Sequence, residues 1–106
     1  MNSIRKTSHL SEIIEESEKQ SVIIYIHSLS CGISVDIKSS IENGLENGKI
    51  KNPVYIVVVQ EMPNLSKNIE EVFKIKHESP QVIILRSGKV IYSADHKAIK
   101  IENFVY

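Results

Sequence analysis

Residues 21–34 read SVIIYIHSLSCGIS and change character twice. Val22–Ile26 is an unbroken apolar run rich in β-branched side chains, the pattern of a strand covered on both faces and therefore central in its sheet. A short polar loop, SLS, follows. Beyond it Ile33, Ile37, Ile41 and Leu45 recur every four residues, which predicts a helix with one buried face. Cys31 falls at the first turn of that helix, and it is the chain's only cysteine.

The flanking segments extend this pattern. Upstream, SHLSEIIEESEKQ sets Leu10, Ile13 and Ile14 on one face of a first helix, with Ser8 as its expected N-cap. Downstream, ENGLENGK supplies two Asn-Gly pairs that stop the second helix. PVYIVVVQ, residues 53–60, is a second buried strand, and the strand–helix–strand order favours right-handed parallel pairing. Leu65, Ile69, Val72 and Phe73 then form the core face of a third helix. QVIILRSGKVIYSA reads as two strands joined by a Ser87-Gly88 hairpin turn. DHKAIKIENFVY predicts a short final helix, capped by Asp95 and burying Ala98, Ile101 and Val105. The fold class is α/β, and residues 1–106 are expected to form one domain around a mostly parallel sheet with helices on both faces.

Composition bounds the function. Thirteen Lys and Arg balance thirteen Asp and Glu, so no net field favours nucleic acid or an acidic membrane surface. The apolar runs are too short to span a bilayer, and residues 1–20 lack the apolar core of a signal peptide. A lone thiol fits the reducing cytoplasm, the expected location. His9, His27, His77 and His96 show no zinc-ligand spacing, so no metal site is expected.

Cys31 carries the chemistry. In α/β sheets, sites gather at the carboxyl ends of the strands, where Cys31 falls. A thiol reacts as its thiolate, and the free amides and positive dipole end of a helix start favour that anion. Gly32 puts no side chain in the way of an approaching disulfide, and Ser34, on the same helical face, can donate a hydrogen bond to sulfur. Without a second cysteine, a mixed disulfide on Cys31 must be resolved by an outside thiol. The competing reading is an inert buried cysteine. His27 either assists thiolate formation or caps the strand end through backbone bonds.

Three segments together, IYIHSLSCGIS, VVVQE at 57–61 and HESPQ at 77–81, resemble the thioredoxin superfamily and, within it, the monothiol bacilliredoxins, over nearly the whole chain. HESPQ is the most specific match. The resemblance implies a thioredoxin-like fold: a central mixed four-stranded sheet with helices on both faces and the active-site cysteine at the amino end of the helix after the first strand. It implies that Cys31 attacks a protein–bacillithiol mixed disulfide, takes on bacillithiol and releases the repaired protein thiol. Pro80, in the place of the superfamily's cis proline, and Ser79 would line the thiol site.

Bacillithiol is then a co-substrate and no cofactor is held tightly. The implied partners are bacillithiolated proteins and a low-molecular-weight thiol, with no nucleic acid and no membrane, and a monomer is expected. The malate carboxylates of bacillithiol are expected near His96 and Lys97, at the start of the final helix. Gly32 departs from the family's C-P-I-S pattern. Thioredoxins proper carry C-x-x-C and a buried Asp six residues before the first Cys; here those places hold Ser34 and Tyr25.

Two other classes compete. CGIS is similar to the C-G-F-S of monothiol glutaredoxins, which share an iron-sulfur cluster between two protomers with help from glutathione. Those proteins resemble one another in a Lys before the Cys and a Gly-Gly pair after the hairpin, where this sequence has IHSLS and YSADH. The other class is a catalytically silent binding module on the same fold.

Overall fold

The computed structural model of the protein describes residues 4–30 and 32–104. Cys31 and Val105 therefore lie outside the described residues. The elements run α1 (Leu10–Lys19), β1 (Val22–His27), α2 (Gly32–Glu46), β2 (Val54–Val58), α3 (Pro63–Phe73), β3 (Gln81–Arg86) and β4 (Lys89–Asp95), followed by two 3-10 turns, His96–Ala98 and Ile101–Asn103.

The sheet order is β2-β1-β3-β4. β1 pairs parallel with β2 and antiparallel with β3, and β3 pairs antiparallel with β4. The sheet is thus mixed, as the thioredoxin-like resemblance implies, and the mostly parallel sheet expected from element order is corrected: β3 begins beside the residue where β1 is ending, Gln81 opposite Ile26, and so runs back in the opposite sense. Every residue of β1 is buried, as its unbroken apolar run requires.

Alternation along β1 builds two cores. Ile23 and Tyr25 face the side covered by Ile41 and Leu45 of α2 and by Phe104, while Val22, Ile24 and Ile26 face Ile13 of α1 and Leu65 and Ile69 of α3. The amino-terminal segment adds to the free edge of β2, with the Arg5 amide donating to the Val54 carbonyl (2.8 Å) and the Ile56 amide to that of Arg5 (2.9 Å).

Several boundaries differ from the sequence reading. His9, not Ser8, occupies the N-cap of α1. Thr7 organises that turn instead, its Oγ1 accepting the His9 amide (3.2 Å) and donating to the Glu12 carboxylate (2.8 Å). Asn43-Gly44 does not stop α2, because Gly44 is buried within it and a Cβ there would sit 2.7 Å from Ile50 Cδ1. Only the second pair ends the helix, through Gly48 at φ 80°. Ile33 and Val72 are exposed rather than core. Val72 lies to one side of a face centred on Leu65, Ser66, Ile69 and Phe73, and Ile33 stands in the outer first turn.

The Ser87-Gly88 turn forms as expected, with φ of 52° and 72°, the left-handed pair that suits a two-residue hairpin. It is held from below by α1: the Ser87 amide donates to the Ser17 carbonyl (2.7 Å) and the Gly88 amide to Ser17 Oγ (2.9 Å).

The final helix does not form. Asp95 ends β4 and makes no side-chain cap bond, and Ala98 is exposed. Phe104 supplies the buried anchor instead, with Ile99 and Ile101 packed beside it. Among the described residues no helix is long and apolar enough to cross a membrane.

Candidate active site

Sheet register gathers the candidate residues. Ile26 pairs with Gln81, and Gln81 with Asp95, so the end of β1, the residues before β3 and those after β4 lie side by side at one end of the sheet. His27 closes β1, the Ser79–Pro80 peptide bond is cis, and the His96 amide donates to the Pro80 carbonyl (3.1 Å). The expectation that free helix amides near His96 form an anion site is therefore corrected. A three-residue turn replaces the helix, the His96 amide is already used, and the imidazole Nδ1 lies 3.2 Å from Asp95 Oδ1. Lys97 is exposed in the same turn.

The loop between β1 and α2 is held by Gln60. Beyond Val58 the chain leaves the sheet in a turn, the Glu61 and Met62 amides folding back on the Val58 carbonyl (3.0 and 2.8 Å). The second run therefore stops short of residue 60. Gln60 instead accepts the Leu29 amide on Oε1 (3.1 Å) and donates from Nε2 to Ser28 Oγ (3.0 Å) and Ser30 Oγ (3.5 Å). Ser28 and Ser30 hydroxyls lie 3.1 Å apart, and the Ser30 amide donates to Ser28 Oγ (3.4 Å). These bonds fix Ser28–Ser30, the residues that lead to position 31. Gln60 falls within the VVVQE motif, and its only local signal in the sequence is a strand-end Gln in a chain with two serines in the loop after β1.

Beneath the loop lies a buried polar chain. Ser34 is fully buried, and its Oγ accepts the Ser28 amide (3.4 Å). The Ser34 carbonyl takes the Tyr25 hydroxyl proton (2.8 Å), and the Tyr25 oxygen lies 2.9 Å from His27 Nδ1. A carbonyl can only accept, so the phenol's single proton points there and its oxygen receives the Nδ1–H of His27. This network assigns His27 the Nδ1–H tautomer, with Nε2 as acceptor. Burial pushes the His27 pKa below its ordinary 6.5; the Lys38 charge adds to this, and Glu42 and Glu61 act the other way. The ring is thus neutral and bonded to Tyr25, rather than capping the strand through the backbone.

Gly32 is the first residue of α2, exposed, with nothing within 4 Å of where a Cβ would stand. His77, in HESPQ, packs its Nδ1 against Ser66 Oγ (3.2 Å), and its amide donates to Glu70 (3.1 Å), while Gln81 Nε2 donates to the Lys76 carbonyl (3.2 Å). The motif therefore shapes the turn that presents Ser79 and Pro80. Among the described residues no group of His, Cys, Asp and Glu could hold a metal ion.

Residues 2–104 match the family model described as monothiol bacilliredoxin BrxC. The chain belongs to the monothiol bacilliredoxin family. Its solved structural neighbours include one described as a candidate oxidoreductase with a thioredoxin fold, at 27% identity and TM-score 0.77, covering 91% of this chain and 85% of that one. A thioredoxin of Malassezia sympodialis matches at 16% identity and TM-score 0.72, over 90% of this chain and 80% of its own. That of Fasciola hepatica matches at 14% and 0.68, over 90% and 86%. The bacilliredoxin chain thus has a thioredoxin fold and, with its family, a thiol redox role. In this bacilliredoxin the Tyr25 phenol is hydrogen-bonded to both β1 and α2.

Proposed function

We propose that the protein removes bacillithiol from protein mixed disulfides by a monothiol route. The Cys31 thiolate attacks the bacillithiol sulfur of the mixed disulfide; a new sulfur–sulfur bond forms, the old one breaks, and the protein leaves as its thiolate. A second low-molecular-weight thiolate then attacks the Cys31 adduct, restoring Cys31 and departing in a small disulfide. Each step exchanges one disulfide for another with no net electron transfer beyond the two thiols and disulfide involved.

The observation that carries this reading is a single cysteine in a chain of the monothiol bacilliredoxin family. Ser34, where a resolving cysteine would stand, is buried and cannot form a disulfide. The fixed Ser28–Ser30 loop and the fifteen-residue α2 support it, since helix-start amides and dipole favour an anion at the position leading into Gly32. Ser79, Pro80 and neutral His27 border the same end of the sheet, Ser79 and Pro80 lining the thiol and His27 supporting the loop.

Intact mass after exposure to oxidised bacillithiol and to oxidised glutathione in parallel tests the reading. A bacillithiol adduct on wild type and none on Cys31→Ser is expected. Absence of that adduct, or an adduct from glutathione alone, would overturn it.

A further inference from the structure

A cavity of about 340 Å³ opens beside the Ser28–Ser30 loop, between the amino-terminal segment, α2 and the end of β2. This is within the size range of small-molecule sites. Its apolar floor is Ile56 and Val58, and its walls carry Lys6 with Glu61 and Lys38 with Glu42. Both pairs are loose: Lys6 Nζ lies 3.4 Å from Glu61, Lys38 Nζ lies 3.7 Å from Glu42, and all four side chains are about half exposed. Such exposed pairs are worth little, so a ligand's charges can replace them at small cost. His27 also lines the cavity; with Nδ1–H committed to Tyr25, Nε2 remains as an acceptor.

We propose that this cavity binds the polar body of a low-molecular-weight thiol that carries both carboxylate and ammonium groups. Two ammonium and two carboxylate side chains around an apolar floor match a ligand of mixed charge better than a simple polyanion, which the glutamates repel. Leu29 lines the cavity and precedes position 31 by two residues, which places the two Cα atoms within about 7 Å of each other. A thiol bonded at Cys31 therefore has the cavity within reach, on the β2 side of the loop. His96 and Lys97 lie beyond β4, at the other edge of the sheet. This assignment rests on the thiol-transfer reading above and names the recognition surface that serves it.

S-methyl bacillithiol and S-methyl glutathione, which cannot exchange, are titrated in parallel into the protein while backbone amide NMR shifts are followed. Saturable shifts at Lys6, His27, Leu29, Lys38 and Ile56 with either probe support the cavity, and the probe that binds more tightly identifies the thiol. Lys6→Glu and Lys38→Glu should each weaken that binding roughly tenfold or more, as expected for a lost charge-assisted contact. Lys67→Glu, on α3 away from the cavity, should leave it unchanged. Shifts confined to Ser79, His96 and Lys97, or no saturable shift at the cavity with either probe, overturn the proposal. Because the probes need no exchange, this result is independent of whether a Cys31 adduct forms; an adduct without cavity shifts removes the site and leaves the thiol chemistry standing.

Discussion

The Tyr25 hydroxyl stands between the Ser34 carbonyl at 2.8 Å and His27 Nδ1 at 2.9 Å, joining the central strand to the first turn of α2. Tyr25→Phe deletes the hydroxyl and leaves a buried carbonyl and imidazole N–H without it, at a cost of about 1–3 kcal/mol. Urea denaturation measures this loss. The ring nitrogen shifts of His27 should report an Nδ1–H tautomer in wild type, and loss of that preference in Tyr25→Phe.

His27 also sets a pH dependence. Its folded pKa lies below the ordinary 6.5, so on acidification the unfolded chain takes up the proton first. The contribution of neutral His27 is whole above pH 6.5 and is lost as pH falls from there through the folded pKa. Stability should therefore decline on acidification below about 6.5, the unfolded-state value. His27→Gln, which keeps an N–H for Tyr25, should flatten that part of the profile. An unchanged slope in the variant contradicts the assignment.

Gln60 should act as a positioning residue. Gln60→Leu removes the acceptor of the Leu29 amide and the donor to two serine hydroxyls. Hydrogen exchange at the Leu29 amide should accelerate, and thiol exchange should slow, while the far-ultraviolet circular dichroism stays unchanged. The pH midpoint of Cys31 alkylation should broaden or rise, a change that a merely structural loss of stability does not produce.

Two glycines of one helix should respond oppositely to alanine. At Gly44 the new Cβ meets Ile50 Cδ1 at 2.7 Å and Cγ1 at 2.9 Å in a fully buried setting. Overpacking of about 1–3 kcal/mol then exceeds the gain of about 1 kcal/mol from replacing glycine in a helix. At Gly32 nothing lies within 4 Å, so alanine should be neutral or slightly stabilising. Gly32→Pro should also fold, since proline is tolerated at a helix's first position, but it removes an amide donor and should raise the Cys31 alkylation midpoint. Thermal melts and alkylation profiles check both.

What could be read from the sequence was what local pattern determines. Unbroken β-branched runs marked Val22–Ile26 and residues 53–60, of which Val54–Val58 form the strand, four-residue spacing marked Ile41 and Leu45, and Ser87-Gly88 marked the hairpin. The HESPQ match marked the family. Pairings between distant segments escaped, because nothing local signals them: Gln60 reaches the loop across thirty residues, Ser17 holds the hairpin turn from α1, and Lys6 meets Glu61 only because Arg5 bridges β2. The carboxyl-terminal segment has apolar spacing that suits a helix, but the Pro80 carbonyl draws the His96 amide and the core takes Phe104. The two Asn-Gly pairs looked alike, and only the close approach of Ile50 shows why one of them lies inside the helix.

The most direct test is single-turnover repair of a bacillithiolated protein, followed by intact mass on both proteins. Wild type should return the substrate to its free-thiol mass and gain one bacillithiol, mole for mole, and Cys31→Ser should do neither. A substrate that keeps its bacillithiol in the presence of wild type, or is repaired equally by Cys31→Ser, contradicts the account.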